Sequence, residues 1–143
     1  MKKLMLSAIL LSSTITGIVI AQDIKEKDVP SAVKTAFVKK YPEAKKVSWE
    51  KEKGNFEANW GGKSGEDNSA MFSPSAIFLE LVQAIPVSQL PATVAPYVKK
   101  HYNGAKIKEA GKVTDASGKH MFEAEIKGKD LIFDEKGVFI KED

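Results

Sequence analysis

The chain has 143 residues, no cysteine and a formal net charge of +3. The missing cysteines exclude disulfides, thiol chemistry and cysteine-ligated zinc, while 43% hydrophobic and 29% charged residues are typical of a globular domain. All 22 basic residues are lysines. Because arginine is the usual reader of guanine and phosphate, we do not expect nucleic acid as a partner.

Residues 1–21 have the pattern of a secretory signal peptide. A basic start at Lys2 and Lys3 precedes an uncharged stretch that ends at Ala21, a small residue suited to cleavage. The alternative is an uncleaved membrane anchor, since residues 4–21 could nearly span a bilayer. Cleavage would leave a periplasmic protein that starts at Gln22 and carries 20 lysines against 19 acidic residues. The membrane would then be involved only through the signal segment.

A helix followed by a β-hairpin is predicted next. Four apolar residues recur every fourth position and would form one stripe of the helix: Val29, Val33, Phe37 and Tyr41. Pro30 suits the first helical turn, and Pro42 ends the helix. Residues 47–52 and 55–60 alternate between apolar and polar on either side of Lys53-Gly54, which predicts two strands and a tight turn.

The same pattern recurs 61 residues later. The equivalent helical stripe is Leu90, Val94, Val98 and Tyr102. Pro96 lies inside this second helix, and we expect it to kink the helix or to delay its start. The tripeptide at 56–58, Phe-Glu-Ala, returns at 122–124. The pattern predicts an α+β fold of two tandem repeats, about 25–85 and 86–143, each a helix followed by antiparallel strands, with both helices packed on one sheet face.

The repeated segments resemble a known family. "VPSAVKTAFVKKYPEAKKVSWEKEKGNFEA", "LPATVAPYVKKHY" and "FDEKGVFIK" are similar to the PepSY-like domain, also described as beta-lactamase-inhibitor-like, of exported bacterial proteins. The resemblance covers nearly all of residues 25–142. It implies two tandem helix-plus-sheet repeats, a periplasmic location, no enzymatic activity, no cofactor, and an inhibitory or ligand-binding role. Ala76, where the second repeat has Gly137, and Pro96 depart from the repeated pattern.

No stretch has the spacing of a catalytic or metal-binding motif. "GGKSG" at 61–65 resembles the end of a phosphate loop, but Glu57 stands where the motif needs glycine, so we expect a surface turn. His101 and His120 lack metal-ligand companions at standard spacing. No nucleophile elbow is present. We therefore predict a protein that is not an enzyme and has no catalytic residues, no metal ligands and no cofactor.

Strand alternation does predict a candidate binding surface. It turns glutamates and one phenylalanine per repeat away from the helices: Glu50, Glu57, Phe78, Glu123, Glu125 and Phe139. One interpretation is an ordinary solvated sheet face. The other is a docking surface, since an exposed aromatic residue repeated in register is unusual. A single β-bulge would exchange the two faces.

Three classes of function remain open from the sequence. The favoured hypothesis is a non-catalytic periplasmic binding protein that recognises an unidentified periplasmic protein or peptide and inhibits a hydrolase through protein–protein contact. The alternative is a periplasmic sensor module that binds a small ligand or an ion in a groove between the repeats. An enzyme is the least favoured class, because it would need a site assembled only in space.

Overall fold

A computed structural model describes residues 21–143. The predicted signal segment therefore lies outside the described residues except for Ala21. The chain divides into two compact units, the first ending at Leu81 and the second comprising Val82–Asp143. The elements, in chain order, are β1 (Gln22–Ile24), α1 (Ser31–Lys40), β2 (Ser48–Glu52), β3 (Asn55–Trp60), β4 (Asn68–Phe72), β5 (Phe78–Ile85), α2 (Val94–His101), β6 (Glu109–Asp115), β7 (His120–Ile126), β8 (Lys129–Asp134) and β9 (Phe139–Glu142). Within residues 21–143, no helix is long and apolar enough to cross a membrane.

In the first unit, α1 packs on one face of the antiparallel strands β1 to β4. Val33 and Phe37 are buried, as the helical stripe predicts. The Phe37 ring lies 5.4 Å from the Trp49 ring and 5.1 Å from the Trp60 ring, both edge to face. Such aromatic contacts stabilise a core beyond the burial of area alone. The aromatic cluster fixes which face of the sheet is turned toward the helix.

In the second unit, α2 packs on the antiparallel strands β7, β8 and β9. Val94 and Val98 are fully buried against Leu131 and Phe133. Pro96 is the third residue of α2. The first-turn N–H groups have no acceptor within a helix, so a proline costs little there. The two predicted outcomes were a kinked helix and a helix that starts late. Because Pro96 lies in the first turn of α2, the structure agrees with the late start.

Two equivalent turns show how closely the units repeat. Within Ser73–Ile77 and within Asp134–Val138, the fifth residue donates its N–H to the side chain of the first, at 3.1 Å and 2.9 Å. Ala76 and Gly137 occupy the same fourth position, with φ of +65° and +80°. Ala76 thus adopts the left-handed backbone conformation that glycine adopts readily, although the Cβ of alanine makes this conformation strained.

The fold is mixed, with two α-helices and nine strands among the described residues. The helices are short, at 10 and 8 residues, so antiparallel sheet dominates each unit. The α+β prediction is confirmed at this level, and the two tandem segments fit a repeat. Strands make up more of each unit than the helices do, so the predicted units, each a helix packed on a sheet, are mainly sheet.

Candidate functional site: the carboxylate-bearing sheet faces

A row of three carboxylates crosses the first unit on the sheet face opposite α1. Asp23 of β1 pairs with Glu50 of β2, which pairs with Glu57 of β3. Trp49 and Ala58, next to them in sequence, belong to the core beneath α1. Because successive side chains of a strand point to opposite faces, the three acids share the other face. We call Asp23, Glu50 and Glu57 the first carboxylate row.

Glu57 is the buried member of this row. Its side chain is only 2% exposed, and its Oε1 accepts a hydrogen bond from the Ser69 hydroxyl. Burial above all, together with the charges of Glu52 and Glu50, raises the pKa of Glu57 to about 8, although hydrogen bonds from Ser69 and Asn59 oppose the shift. The Glu57 carboxyl is therefore mainly protonated at neutral pH.

A second carboxylate row crosses the second unit. Glu109 of β6 pairs with Glu125 of β7, which pairs with Asp130 of β8. Burial, followed by the charges of Glu109 and Asp130, raises the pKa of Glu125 to about 7, while Lys108 opposes the shift. Glu123, two residues before Glu125 on β7 and thus on the same face, is 2% exposed. We call Glu109, Glu125 and Asp130 the second carboxylate row.

The two rows occupy different positions of the repeated scaffold. The tripeptide Phe-Glu-Ala makes Glu57 equivalent to Glu123, yet Glu57 faces Glu50 on the preceding strand whereas Glu123 faces Gly111. Conversely, the positions of the second row correspond in the first unit to neutral polar residues: Ser48, Asn59 and Ser69. The rows are therefore not simple copies produced by duplication, since each unit has its own set of acids.

Phe78 does not lie with the glutamates, contrary to the prediction. Its ring is 5.7 Å from the ring of Phe72, and the Lys40 ammonium lies 4.2 Å from its centroid. Phe72 is part of the core under α1, and both Phe78 and Leu81 pack against that core. Phe78 and Leu81 are three residues apart, whereas strict alternation puts only residues separated by an even number on the same face. The alternation on which the prediction rested is therefore broken within β5.

Phe139 is likewise on the helix-facing side. It stacks on Tyr97 of α2 at 4.9 Å and contacts the ring of Phe133 at 5.7 Å. The reason is a register shift, because Phe133 pairs with Phe139 while its neighbour Ile132 pairs with Lys141. One residue more on β9 than on β8 is a β-bulge, and it exchanges the faces of the residues beyond it. The prediction that Phe139 shares the glutamate face is wrong for this reason.

The four glutamates do lie on the sheet faces that alternation assigned to them. Glu50 and Glu57 form a direct cross-strand pair in the first unit, and Glu123 and Glu125 are two residues apart on one strand of the second unit. Their role in binding, and that of Phe78 and Phe139, stays a prediction.

Three acids of the two rows were missed by reasoning from sequence: Asp23, Glu109 and Asp130. A usable signal existed for Asp130. The Lys127-Gly128 turn joins β7 to β8 through two residues, so that Ile126 pairs with Lys129 and the next pair outward is Glu125 with Asp130. Counting outward from a tight turn gives the register that alternation alone leaves open.

An acidic recess lies at the β1–β2 edge of the first unit. It encloses about 340 Å³ and is lined by Asp23, Ile24, Glu26, Val47, Ser48, Trp49, Glu50 and Glu66. Two of its acids belong to the first carboxylate row, and none of its lining residues is basic. Within residues 21–143, no three His, Asp or Glu side chains are grouped so as to hold a metal ion.

Comparison with solved structures gives the same fold at low sequence identity. A protein of Bacteroides eggerthii described as a "putative periplasmic" protein matches at 18% identity and a TM-score of 0.65, over 80% of this chain and 88% of that chain. A DUF2874 family protein of Bacteroides uniformis matches at 19% identity and a TM-score of 0.64, over 80% and 88%. A BLIP-like protein of Bacteroides fragilis matches at 21% identity and a TM-score of 0.57, over 80% and 84%.

Comparison by sequence adds the family. Among curated proteins, none matches the chain. The sequence profile of the family described as "Putative beta-lactamase-inhibitor-like, PepSY-like" matches residues 19–61 and 62–141. These two segments cover most of the chain and confirm the resemblance carried by the repeated segments. The chain therefore belongs to the PepSY-like, beta-lactamase-inhibitor-like family.

Proposed function

We propose that the protein is a non-catalytic periplasmic binding protein whose two carboxylate rows receive a basic protein or peptide, and that it thereby inhibits a hydrolase. The observation that carries this proposal is the placing of acidic side chains directly opposite each other on neighbouring strands. Glu50 faces Glu57, and Glu125 faces both Glu109 and Asp130. Such an arrangement costs stability, because ionised carboxylates in direct cross-strand register repel each other and a buried one such as Glu57 has to take up a proton to avoid that repulsion. Such a cost to folding is common where side chains are retained for function.

The location and the absence of catalysis are inferred from the relatives. The family is described as beta-lactamase-inhibitor-like, and the similar structures include a BLIP-like protein and one described as periplasmic. These names favour inhibition by contact over catalysis. They do not identify the partner, so the chemistry of the carboxylate rows supplies the expectation that it is basic.

The rows suit recognition by charge. Both lie on the sheet faces opposite the helices, so a partner could approach them without disturbing either helix core. Asp23 is exposed and Glu50, Glu109 and Glu125 are partly exposed, whereas Glu57 and Asp130 are buried. The accessible carboxylates would raise the rate of association with a basic partner, and salt would weaken that attraction. Because burial keeps Glu57 and Glu125 partly protonated near neutral pH, a cationic partner would also draw protons off these groups.

Affinity capture from periplasmic extract tests the proposal. Residues 22–143 would be immobilised beside a variant with Glu50→Gln and Glu125→Gln, which keeps side-chain shape and removes charge from both rows. We expect one or more basic proteins on the unaltered protein, less on the variant, and lower hydrolase activity when the protein is added to the captured enzyme. Recovery of the same proteins on both baits, with unchanged hydrolase activities, would refute the proposal.

A sensor for a small ligand or an ion is the second candidate. The acidic recess of the first unit favours it, because concave sites with converging charged groups are typical of small-ligand binding. Thermal unfolding against panels of metals, peptides, amines and glycans separates the two candidates. A rise of several degrees with one class of ligand, without any protein captured, would replace the inhibitor proposal by the sensor.

A further inference from the structure

Gln22 becomes the first residue of the protein if the signal segment is cleaved after Ala21. The stretch before the cut ends in Val19-Ile20-Ala21, with a small residue at the last position. A glutamine that carries a free α-amine has its own side-chain amide within reach, because closing the two onto each other gives an unstrained five-membered ring. The predicted cut therefore produces an N-terminal residue that contains both partners of a reaction.

The structure leaves both reacting groups of Gln22 accessible. Gln22 is the first residue of β1, and its side chain is exposed. β1 is the outermost strand at one end of the described sheet and pairs with β2. Because no further strand covers its outer edge, neither the α-amine nor the side-chain amide has to leave a packed position in order to react.

A charged amino terminus at this place would face a lysine. Gln22 is the direct cross-strand partner of Lys51, so the two backbones lie about 5 Å apart. The Lys51 ammonium lies 5.5 Å from the centroid of the Phe56 ring, and Phe56 belongs to the core under α1. Like charges at directly paired positions weaken strand pairing. The same terminal charge would also lie one residue from Asp23 and offset part of the negative charge of the first carboxylate row.

We propose that Gln22 is a modification site and cyclises to pyroglutamate after export. The unprotonated α-amine attacks Cδ of the side-chain amide, a bond forms between the α-nitrogen and Cδ, and the bond from Cδ to the amide nitrogen breaks. Ammonia leaves with the proton that the amine gives up, so no oxidant, reductant or co-reactant is needed. Holding amine and amide in one residue favours the attack. The reaction depends on the export proposed above, because Gln22 has an α-amine only after the cut.

The ring would preserve the first carboxylate row. Proteolysis concentrates at chain termini, and an aminopeptidase that removed Gln22 would next remove Asp23, the member of the row that lies on β1. Aminopeptidases need a free α-amine, which the lactam lacks. Cyclisation also removes the terminal positive charge, so that Asp23 and its partner Glu50 would attract a basic partner without that cation beside them.

Mass spectrometry of the exported protein tests this modification. The full chain, with its own residues 1–21, would be produced in a Gram-negative host and purified from the periplasmic fraction beside a Gln22→Asn variant. Asparagine carries the same amide on a side chain one methylene shorter, so the equivalent ring would be a strained four-membered one and should not form. We expect the unaltered protein to have the mass of residues 22–143 less one ammonia and to resist N-terminal sequencing. The variant should have its full mass and an open N-terminus.

Treatment of both proteins with an aminopeptidase tests the consequence. We expect Asp23 to stay on the unaltered protein and to be lost from the variant, as followed by intact mass. An open Gln22 in the exported protein, a cut at another position, or retention of residues 1–21 would overturn the proposal, and Asp23 retained equally in both proteins would overturn the protective role. Neither readout uses a captured partner, so failure here is distinguishable from failure of the carboxylate rows to bind one.

Discussion

Replacing Glu57 by glutamine should remove a large pH dependence from folding stability. The folded protein holds the pKa of Glu57 at about 8, against 4.5 for the free group. Between these values the folded state binds a proton that the unfolded state has lost. Stability from this group is therefore complete below pH 4.5, falls as the pH rises, and levels off above about pH 8.

The size of the effect follows from the shift. Each unit of pKa difference corresponds to about 1.4 kcal/mol, so this group lowers the free energy of unfolding by about 5 kcal/mol across the window. Glutamine keeps the shape and has no charge to lose. We expect Glu57→Gln to match the unaltered protein near the acid end and to exceed its stability by about 3–5 kcal/mol at the alkaline end.

Urea unfolding followed by tryptophan fluorescence measures this difference, since Trp49 and Trp60 are both buried beside Phe37. The proteins would be compared at about pH 5 and about pH 8.5, on the two sides of the window. The raised pKa of Glu125 adds a fall of the same sign to every protein, so the difference between variants isolates Glu57. Glu135→Gln is the control and should follow the unaltered protein. A Glu57→Gln variant that is less stable at high pH would refute the reasoning.

Three further predictions concern stability. Phe37→Ala should cost about 3–5 kcal/mol in urea unfolding because it empties the centre of an aromatic cluster, and a near-neutral effect would mean that the helical stripe is misassigned. Ala76→Gly should stabilise by about 0.5–1 kcal/mol, since relief of about 1–2 kcal/mol of left-handed strain exceeds the added entropy of the unfolded chain; a loss would show that the turn has another conformation. Phe78→Ala and Phe139→Ala should each lower the free energy of unfolding by about 1–3 kcal/mol, because both rings are half-buried against the helix cores. Unchanged stability would show that the two rings are exposed instead.

The helices and turns could be read from sequence because their signals are local. The fourfold spacing of Val33 and Phe37 specifies one helical stripe whatever else the chain does, and the structure buries both. Lys53-Gly54 has positive φ at both residues, 48° and 82°, which is the backbone that a two-residue hairpin turn requires. Because the same pattern recurs 61 residues later, the helix and strands predicted for the first unit could be predicted for the second unit as well.

The candidate site was harder because it depends on how strands pair. Alternation placed Glu57 on the correct face, but its burial depends on neighbours that are distant in sequence, such as Ser69 and Met71. Phe139 was misplaced because one bulge at β9 reverses the faces. The clustering of Glu125 with Asp130 is visible only once the register across the turn is counted.

The affinity of a partner captured from periplasmic extract tests the central claim most directly. The dissociation constant would be measured at low and at high salt for residues 22–143 and for the variant with Glu50→Gln and Glu125→Gln. If the carboxylate rows receive the partner, the variant binds at least about tenfold more weakly and with a smaller salt dependence. Equal dissociation constants and equal salt dependence for the two proteins would contradict the claim.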